Sequence, residues 1–336
     1  MSAYIHIAVD AMSGDLGPRV VINACQKILS QIPDIKLTLV GDASVQAMLT
    51  KLPPQRVNFL LAEQVVAMGD LPSAALRHKK DSSMRKSLVC LASGEVDACV
   101  SAGNTGALIL LSQHLIGCYE QIERVAICRV IPTRKNITAL LDLGAVPSAS
   151  AFQLLQFGLM GREFVSAHGV KAAKIALLNV GSESHKGTEQ VQQAQNLFQE
   201  KLPQAYVGFV EAHRIFDGEI NVIVTDGFTG NVALKASEGV ARFILDKIKQ
   251  AYERNFFSRF LRVLSLPVLT YLKQGLDPSA YNGAVFLGLK KVVVKSHGDS
   301  DAVGFAAAIR LAYEQAKNQV PEKISHALSH SLHNKF

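Results

Sequence analysis

Asp226, Gly227, Gly230, Asn231 and Lys235 fall within one string, TDGFTGNVALKASEGVA, directly behind the apolar run Val222, Ile223 and Val224. A short strand that breaks into glycines and then enters a helix aims backbone N–H groups and a positive helix end at one point. That arrangement suits an anion. Asn231 reads as the N-cap of the helix, and Lys235, one turn further on, adds a positive charge. An ordinary strand-to-helix turn needs the same glycines, so the string by itself leaves both readings open.

The same grammar recurs after other strand-like runs. AVDAMSGDLGP carries Asp10, Gly14 and Asp15, and SAGNTGAL carries Gly103, Asn104 and Thr105. LDLGA carries Asp142 and Gly144, and LLNVGSESHKGTE carries Asn179, Lys186 and Thr188. KSHGDSDAVG carries Lys295, His297, Gly298 and Asp301. Ligands of open α/β sheets bind beyond the carboxyl ends of the strands, so these loops together predict a polar, cationic cleft floored by backbone amides. The patterns GxSxG, HExxH, GxGxxG and GxxxxGK[ST] are absent; GSESHKGT has its Lys and Gly transposed relative to the last. No paired carboxylates show metal-ligand spacing, although Asp10, Asp142 and Asp226 could converge from different strands.

Positioning these loops falls to strand candidates at Tyr4–Val9, Lys36–Val40, Arg56–Leu60, Asp97–Ser101, Arg124–Val130, Ile137–Leu141, Lys174–Val180, Asn221–Val224 and Lys291–Lys295. Several are continuous apolar runs, as in a sheet covered on both faces. Helical periodicity lies between them: Val240, Phe243, Ile244, Ile248 and Ala251 share a face, with Arg242, Asp246 and Lys249 opposite. The alternation predicts an α/β fold with a doubly wound, mostly parallel sheet. We read residues 1–321 as one α/β domain with an amphipathic helical insertion at about 250–280. Residues 322–336 read as a loosely held helix or tail whose His326, His330 and His333 share a face.

Composition narrows the function classes. Of 336 residues, 49% are hydrophobic and 19% charged, so a large core is available and disorder is not expected. Lys and Arg number 35 against 28 Asp and Glu, a net charge of +7, which fits a phosphate-bearing ligand, an acidic partner or an anionic surface. With aromatics at 7% and no Trp, and with no nucleic-acid motif, nucleic acid is not an expected partner. The five cysteines are scattered, without CxxC, and read as buried, reduced thiols. The start, MSAYIHIAVD, lacks the basic and apolar regions of a signal peptide, and no apolar stretch is long enough to span a bilayer. The expected location is cytoplasmic.

AVDAMSGDLGP, SAGNTGAL, LLNVGSESHKGTE, TDGFTGNVALKASEGVA and KSHGDSDAVGFAAAI resemble, in order and spacing, the bacterial phosphate acyltransferase family (acyl-acyl carrier protein:phosphate acyltransferase), over roughly residues 4–312. The resemblance implies a fold like that of the isocitrate and isopropylmalate dehydrogenases and phosphotransacetylases, and a homodimer. It implies that inorganic phosphate attacks the thioester of a fatty acyl-acyl carrier protein, giving an acyl phosphate for phospholipid synthesis and the downstream membrane-bound glycerol-3-phosphate acyltransferase. Neither a metal nor another cofactor is implied. The chain departs from the family pattern at Ser13, usually Gly, at Val146, usually Asn, and at Glu211-Ala212-His213-Arg214, usually an EGRD-like string.

Phosphate near neutral pH is already a competent nucleophile, so the enzyme must position two reactants and stabilise an oxyanion. Lys186, Lys235, Lys295, His297 and Asn231 are the catalytic candidates, neutralising charge or protonating the leaving thiolate. Asp10, Gly14, Asp15, Gly103, Asn104, Thr105, Asp226, Gly227, Gly230 and Gly298 are the substrate- and phosphate-binding candidates. Ionised, Asp10 and Asp226 would repel phosphate, so their expected part is to orient lysines and amides. FFSRFLRVLSLPVLTYL places Phe257, Phe260, Leu261, Leu264 and Val268 on one face with Arg259 and Arg262 opposite, and Pro267 ends the first helix. That face reads either as one that meets an anionic membrane or an acyl chain, or as a buried dimer interface. The alternatives to the main reading are a phosphotransacetylase acting on a coenzyme A thioester and a non-enzymatic basic scaffold for an acidic protein.

Overall fold

The central strands bury consecutive residues where a half-exposed strand would alternate. Ile7, Ala8 and Val9 are all fully buried, as are Val292, Val293 and Val294 to within 4%. Runs of this kind pack on both faces, and the computed structural model, which describes residues 4–276 and 282–332, places them in a sheet covered by helices on each side. The elements follow as β1 (Ile5–Asp10), α1 (Pro18–Gln31), β2 (Ile35–Gly41), α2 (Ala43–Met48), β3 (Val57–Leu61), α3 (Pro72–His78), α4 (Ser83–Ser93), β4 (Ala98–Ser101) and α5 (Thr105–Leu115). Next come β5 (Ala126–Ile131), β6 (Thr138–Leu141), α6 (Ala151–Ala167), β7 (Ile175–Asn179), α7 (Glu189–Lys201), β8 (Tyr206–Glu211) and β9 (Val222–Val224). The chain continues with α8 (Gly227–Glu253), α9 (Phe256–Leu264), α10 (Leu266–Leu276), β10 (Ala284–Leu287), β11 (Val292–Lys295), α11 (Ala302–Lys317) and α12 (Val320–Leu332).

The 11 strands run in the order β3-β2-β1-β4-β11-β10-β5-β6-β9-β7-β8. β3, β2, β1, β4 and β11 are mutually parallel. β10 is antiparallel to both of its neighbours, and β5 is antiparallel to β6. The strands β6, β9, β7 and β8 are again parallel among themselves, but they run opposite to the first group. The doubly wound, mostly parallel sheet is therefore two parallel blocks of opposite sense joined through β10 and β5. One face is filled by side chains of α1, α6, α11 and α12, with Phe157, Phe164 and Phe305 among the bulkiest. Met84, Leu88, Leu108 and Leu111 of α4 and α5 fill the other.

Two strands escape the sequence reading. β8 is an edge strand with only Val210 buried, and β10 is short. The segment read as a loosely held helix or tail falls in helix α12 up to Leu332, where Ile324 and Leu328 are buried; His326 and His330 pair at 3.1 Å, while His333 lies outside the described residues. The helical insertion starts earlier than about residue 250: α8 runs from Gly227, and α9 and α10 follow it. Pro267 is the second residue of α10, and α9 stops at Leu264, as the helix-breaking ring requires. The rest of the predicted insertion, residues 277–280, lies outside the described residues.

Candidate functional site

Opposite strand senses divide the predicted loops into two groups, and α8 runs from one toward the other. The first follows β1, β4 and β11; the second follows β6, β7 and β9.

In the first cluster the strand register is decisive. Val9 pairs with Val100, Val100 with Val294, and Ser101 with Lys295. The next row therefore holds Asp10, Ser101 and Lys295 side by side. Ser101 Oγ donates to Asp10 Oδ2 at 2.7 Å, and Ser13 Oγ donates to the same oxygen. Asp10 is fully buried, and its Oδ1 has no hydrogen-bond partner among the described residues. Lys295 Nζ donates to the carbonyls of Ala102, at 3.2 Å, and Ser296. Desolvation pulls this ammonium down to about 8, against the opposing pull of Asp15, Asp10 and Asp299. Gly14 has a φ of 103°, and a Cβ there would stand 3.1 Å from Ala102 Cβ, so the β1 loop can press on the β4 loop. Asp15 N donates to Gly298 O at 2.8 Å, stitching the same loop to the one after β11. His297 N donates to Asn282 Oδ1 at 3.1 Å; its Nδ1 lies 2.5 Å from Asp299 Oδ1. Asp299 in turn lies 3.7 Å from Arg242 Nη2 of α8.

Two candidates here are committed elsewhere. Asn104 caps α5 by accepting from Ala107 N at 3.0 Å, and its two amide protons go to Met68 O and Asp70 O at 2.8 and 3.0 Å. It has no donor left for phosphate. Gly103 is buried and gives its N–H to Ser101 Oγ at 3.1 Å. The Thr105 hydroxyl makes no hydrogen bond among the described residues and stays available at the first position of α5.

The second cluster corrects the reading of TDGFTGN most. Asp226, not Asn231, caps α8, which begins at Gly227. Its carboxylate accepts from Thr229 N at 2.8 Å and Thr229 Oγ1 at 3.0 Å. Gly227 N donates to Val146 O at 2.8 Å and Gly230 N to Asp226 O at 3.0 Å. The amides expected to cradle an anion are therefore largely consumed by the fold. The glycines serve close packing: a Cβ at Gly230 would collide with Asp142 O. Asp142, fully buried, organises the facing loop by accepting from Ile127, Gly144, Ala145 and Val146 N–H groups at 2.8, 3.2, 3.1 and 2.6 Å. Burial pushes its carboxyl up, while those bonds pull it down. Val146 gives this loop its main-chain N–H and carbonyl, and its half-buried side chain packs against the core.

Lys186 Nζ lies 2.7 Å from Glu183 Oε1 in an exposed pair; such a pair is weak and easily exchanged for a ligand. Asn231 and Lys235 stand one turn apart on α8, and neither side chain makes a hydrogen bond or ion pair among the described residues. The stripe continues through Glu238, 2.6 Å from Arg129 Nη1, to Arg242. From Asn231 to Arg242 it covers about 16 Å of helix axis, reaching from the second cluster toward the first.

No cysteine is placed for nucleophilic attack: all five are free, four are buried, and desolvation pushes the Cys25 thiol up to about 12. Among the described residues no three His, Cys, Asp or Glu side chains are grouped to hold a metal ion. Likewise no helix among them is long and apolar enough to cross a membrane.

Comparison with known proteins agrees with this architecture. The family described as "Fatty acid synthesis protein" matches residues 5–323. The phosphate acyltransferase of Cellvibrio japonicus (strain Ueda107) is 51% identical over 331 residues, covering 98% of this chain and 99% of that one. Among solved structures, a phosphotransacetylase from Streptococcus pyogenes superposes with a TM-score of 0.63 at 15% identity, covering 94% of each chain. A 4-hydroxythreonine-4-phosphate dehydrogenase from Klebsiella pneumoniae gives 0.50 at 16% identity, over 94% of this chain and 98% of that one. At these identities the two structures speak for the fold alone, and the fold is the dehydrogenase-like one expected. The sequence match carries the rest: this chain belongs to the phosphate acyltransferase family and is an acyltransferase.

Proposed function

We propose that the protein transfers a fatty acyl group from acyl carrier protein to inorganic phosphate, releasing acyl phosphate and the free carrier thiol. One observation supports this reading above the others: Asn231 and Lys235 are unpaired among the described residues and adjacent on one stripe of α8, with Asn231 against the Asp142 loop. An amide donor beside a free ammonium suits the phosphate or the developing oxyanion, with Lys186 on the neighbouring β7 loop as a second charge. Phosphate brings its own negative oxygen, so positioning and charge stabilisation carry the reaction. The net charge of +7 favours an acidic carrier protein.

The α9–α10 arm supports a peripheral membrane role for this cytoplasmic enzyme. Phe257, Phe260, Leu261 and Leu264 are 67%, 56%, 38% and 65% exposed, a large apolar surface to leave in water. An acyl phosphate is lipid-like, and a surface that touches the bilayer would release it where a membrane-bound glycerol-3-phosphate acyltransferase can take it. A homodimer fits the further apolar exposure along α8 at Val240, Phe243 and Ile244.

Incubating the full chain with a long-chain acyl-acyl carrier protein, with and without phosphate, tests the assignment. Thiol release that depends on phosphate and is matched by acyl phosphate is expected. Equal release with no phosphate present, or none in either case, rejects it.

A further inference from the structure

Asp10, Ser101 and Lys295 form one row across β1, β4 and β11, and the row is polar where the rows beneath it are Ala, Cys, Ile and Val. Two hydroxyls, from Ser13 and Ser101, converge on one oxygen of a fully buried carboxylate. The other oxygen, Asp10 Oδ1, is left without a partner among the described residues. Beside them the Lys295 ammonium gives two of its three protons to main-chain carbonyls. The third has no acceptor among the described residues. The charged groups acting on it are Asp10 from β1, Asp15 from the β1–α1 loop and Asp299 from its own loop; β4 faces it with the neutral Ser101.

We infer that Lys295 is the proton donor to the leaving thiolate, and that Asp10, clamped by Ser13 and Ser101, is the residue that positions it. The inference rests on the phosphate–thioester reading above. An oxygen of hydrogen phosphate attacks the thioester carbonyl and forms a C–O bond. Collapse of the tetrahedral adduct breaks the C–S bond, whose electron pair stays on sulfur, and the sulfur takes a proton from Lys295 Nζ. Acylation makes the remaining P–OH more acidic, and its proton restores the ammonium. No external acid or base is consumed.

The chemistry of the site matches this role. Burial brings Lys295 down to about 8, close to the ordinary thiol value of about 8.5. A proton shared between groups so matched moves in either direction with little penalty. Ser13 bears on the pair through Asp10. Its hydroxyl draws charge from Asp10 and so weakens the hold of that carboxylate on the Lys295 proton.

The test is the pH dependence of phosphate-dependent thiol release from a long-chain acyl-acyl carrier protein, using the full chain. In the unaltered protein kcat is expected to fall as pH rises through about 8, where the donor loses its proton. Lys295→Met should lower kcat about 100-fold or more. Lys295→Arg, which keeps the charge but cannot titrate in this range, should lose the alkaline limb. Ser13→Gly supplies an independent readout should the buried Lys295 variants misfold: with one donor fewer on Asp10, the limb should move to higher pH. Turnover of Lys295→Met within about threefold of the unaltered chain, or a limb that stays in place in both Lys295→Arg and Ser13→Gly, overturns the inference while leaving the activity standing. Absence of phosphate-dependent release from the unaltered chain removes the activity and this inference together.

Discussion

Glu238 of α8 lies 2.6 Å from the Arg129 guanidinium of β5, with the two side chains only 13% and 10% exposed. The pair matters because α8 has little else to hold it. Its buried residues are Gly227 and Gly230, at the first turn; Ala233 and Leu234 pack partly against the core, while Val240 and Phe243 are 57% and 60% exposed. The ion pair fixes the middle of a helix that carries Asn231 and Lys235 on one side of it and Arg242 on the other. Removing one partner from a covered pair leaves the other charge desolvated, so Glu238→Ala should destabilise the protein by about 3 kcal/mol. Urea denaturation measures this, and hydrogen exchange should rise across residues 231–250 of α8. A change below about 0.5 kcal/mol, as for an exposed pair, would show that α8 is held by other contacts.

Gly230 and Gly239 lie on the same helix and should respond oppositely to alanine. At Gly230 the new methyl would run into the Asp142 carbonyl, and the obstacle is main chain rather than a flexible side chain. Gly230→Ala should cost about 2 kcal/mol or more and displace the Asp142 loop, with turnover falling in step. Nothing lies within 4 Å of a Cβ at Gly239, so Gly239→Ala should stabilise by up to about 1 kcal/mol through helix propensity alone. Thermal unfolding of the two variants side by side checks the pair of signs. Equal destabilisation would mean that α8 is packed along its length, contrary to its exposure.

Much of the sheet is legible in the sequence because its strands are continuous apolar runs, and the loops are legible because glycines and polar residues follow each run. What stays hidden is direction. Nothing in Ile137–Leu141 or Asn221–Val224 reveals that β6 and β9 run against β1 and β4. The Asp10–Ser101–Lys295 row is hidden for the same reason, since it exists only through strand order. β8 is hidden because Gly208, at a φ of 97° where the pairing with β7 shifts register, interrupts its apolar run at a half-exposed sheet edge. Asn104 and Asp226 have the residue types of ligands, and they also have the residue types of N-caps. Sequence alone does not separate the two uses; the hydrogen bonds do.

The arm formed by α9 and α10 should bind anionic lipid without joining the two copies of the proposed dimer. Phe257→Asp with Leu264→Asp puts two charges into its exposed apolar face. Co-sedimentation with vesicles containing phosphatidylglycerol should fall at least about tenfold, while light scattering reports an unchanged oligomer. If the oligomer dissociates and vesicle binding persists, this face joins two copies of the chain and does not meet the bilayer.

Lys295 should also leave a signature in stability. Its ordinary value is 10.5, and burial lowers it to about 8 in the folded chain. Below about pH 8 both folded and unfolded chains hold the proton, and the folded protein bears the charge in a desolvated setting. Between about 8 and 10.5 the unfolded chain keeps the proton and the folded chain has released it, so stability gains with rising pH at up to about 1.4 kcal/mol per unit. The contribution is thus present above the unfolded value and lost as pH falls through the folded one. Lys295→Met removes it, so the difference in unfolding free energy between the unaltered chain and this variant should grow in favour of the unaltered chain across that window and stay flat below it. Urea denaturation at half-unit pH steps reads that slope. A difference that does not vary with pH would place the Lys295 ammonium in contact with solvent, and a solvated lysine holds its proton too tightly to match a thiol.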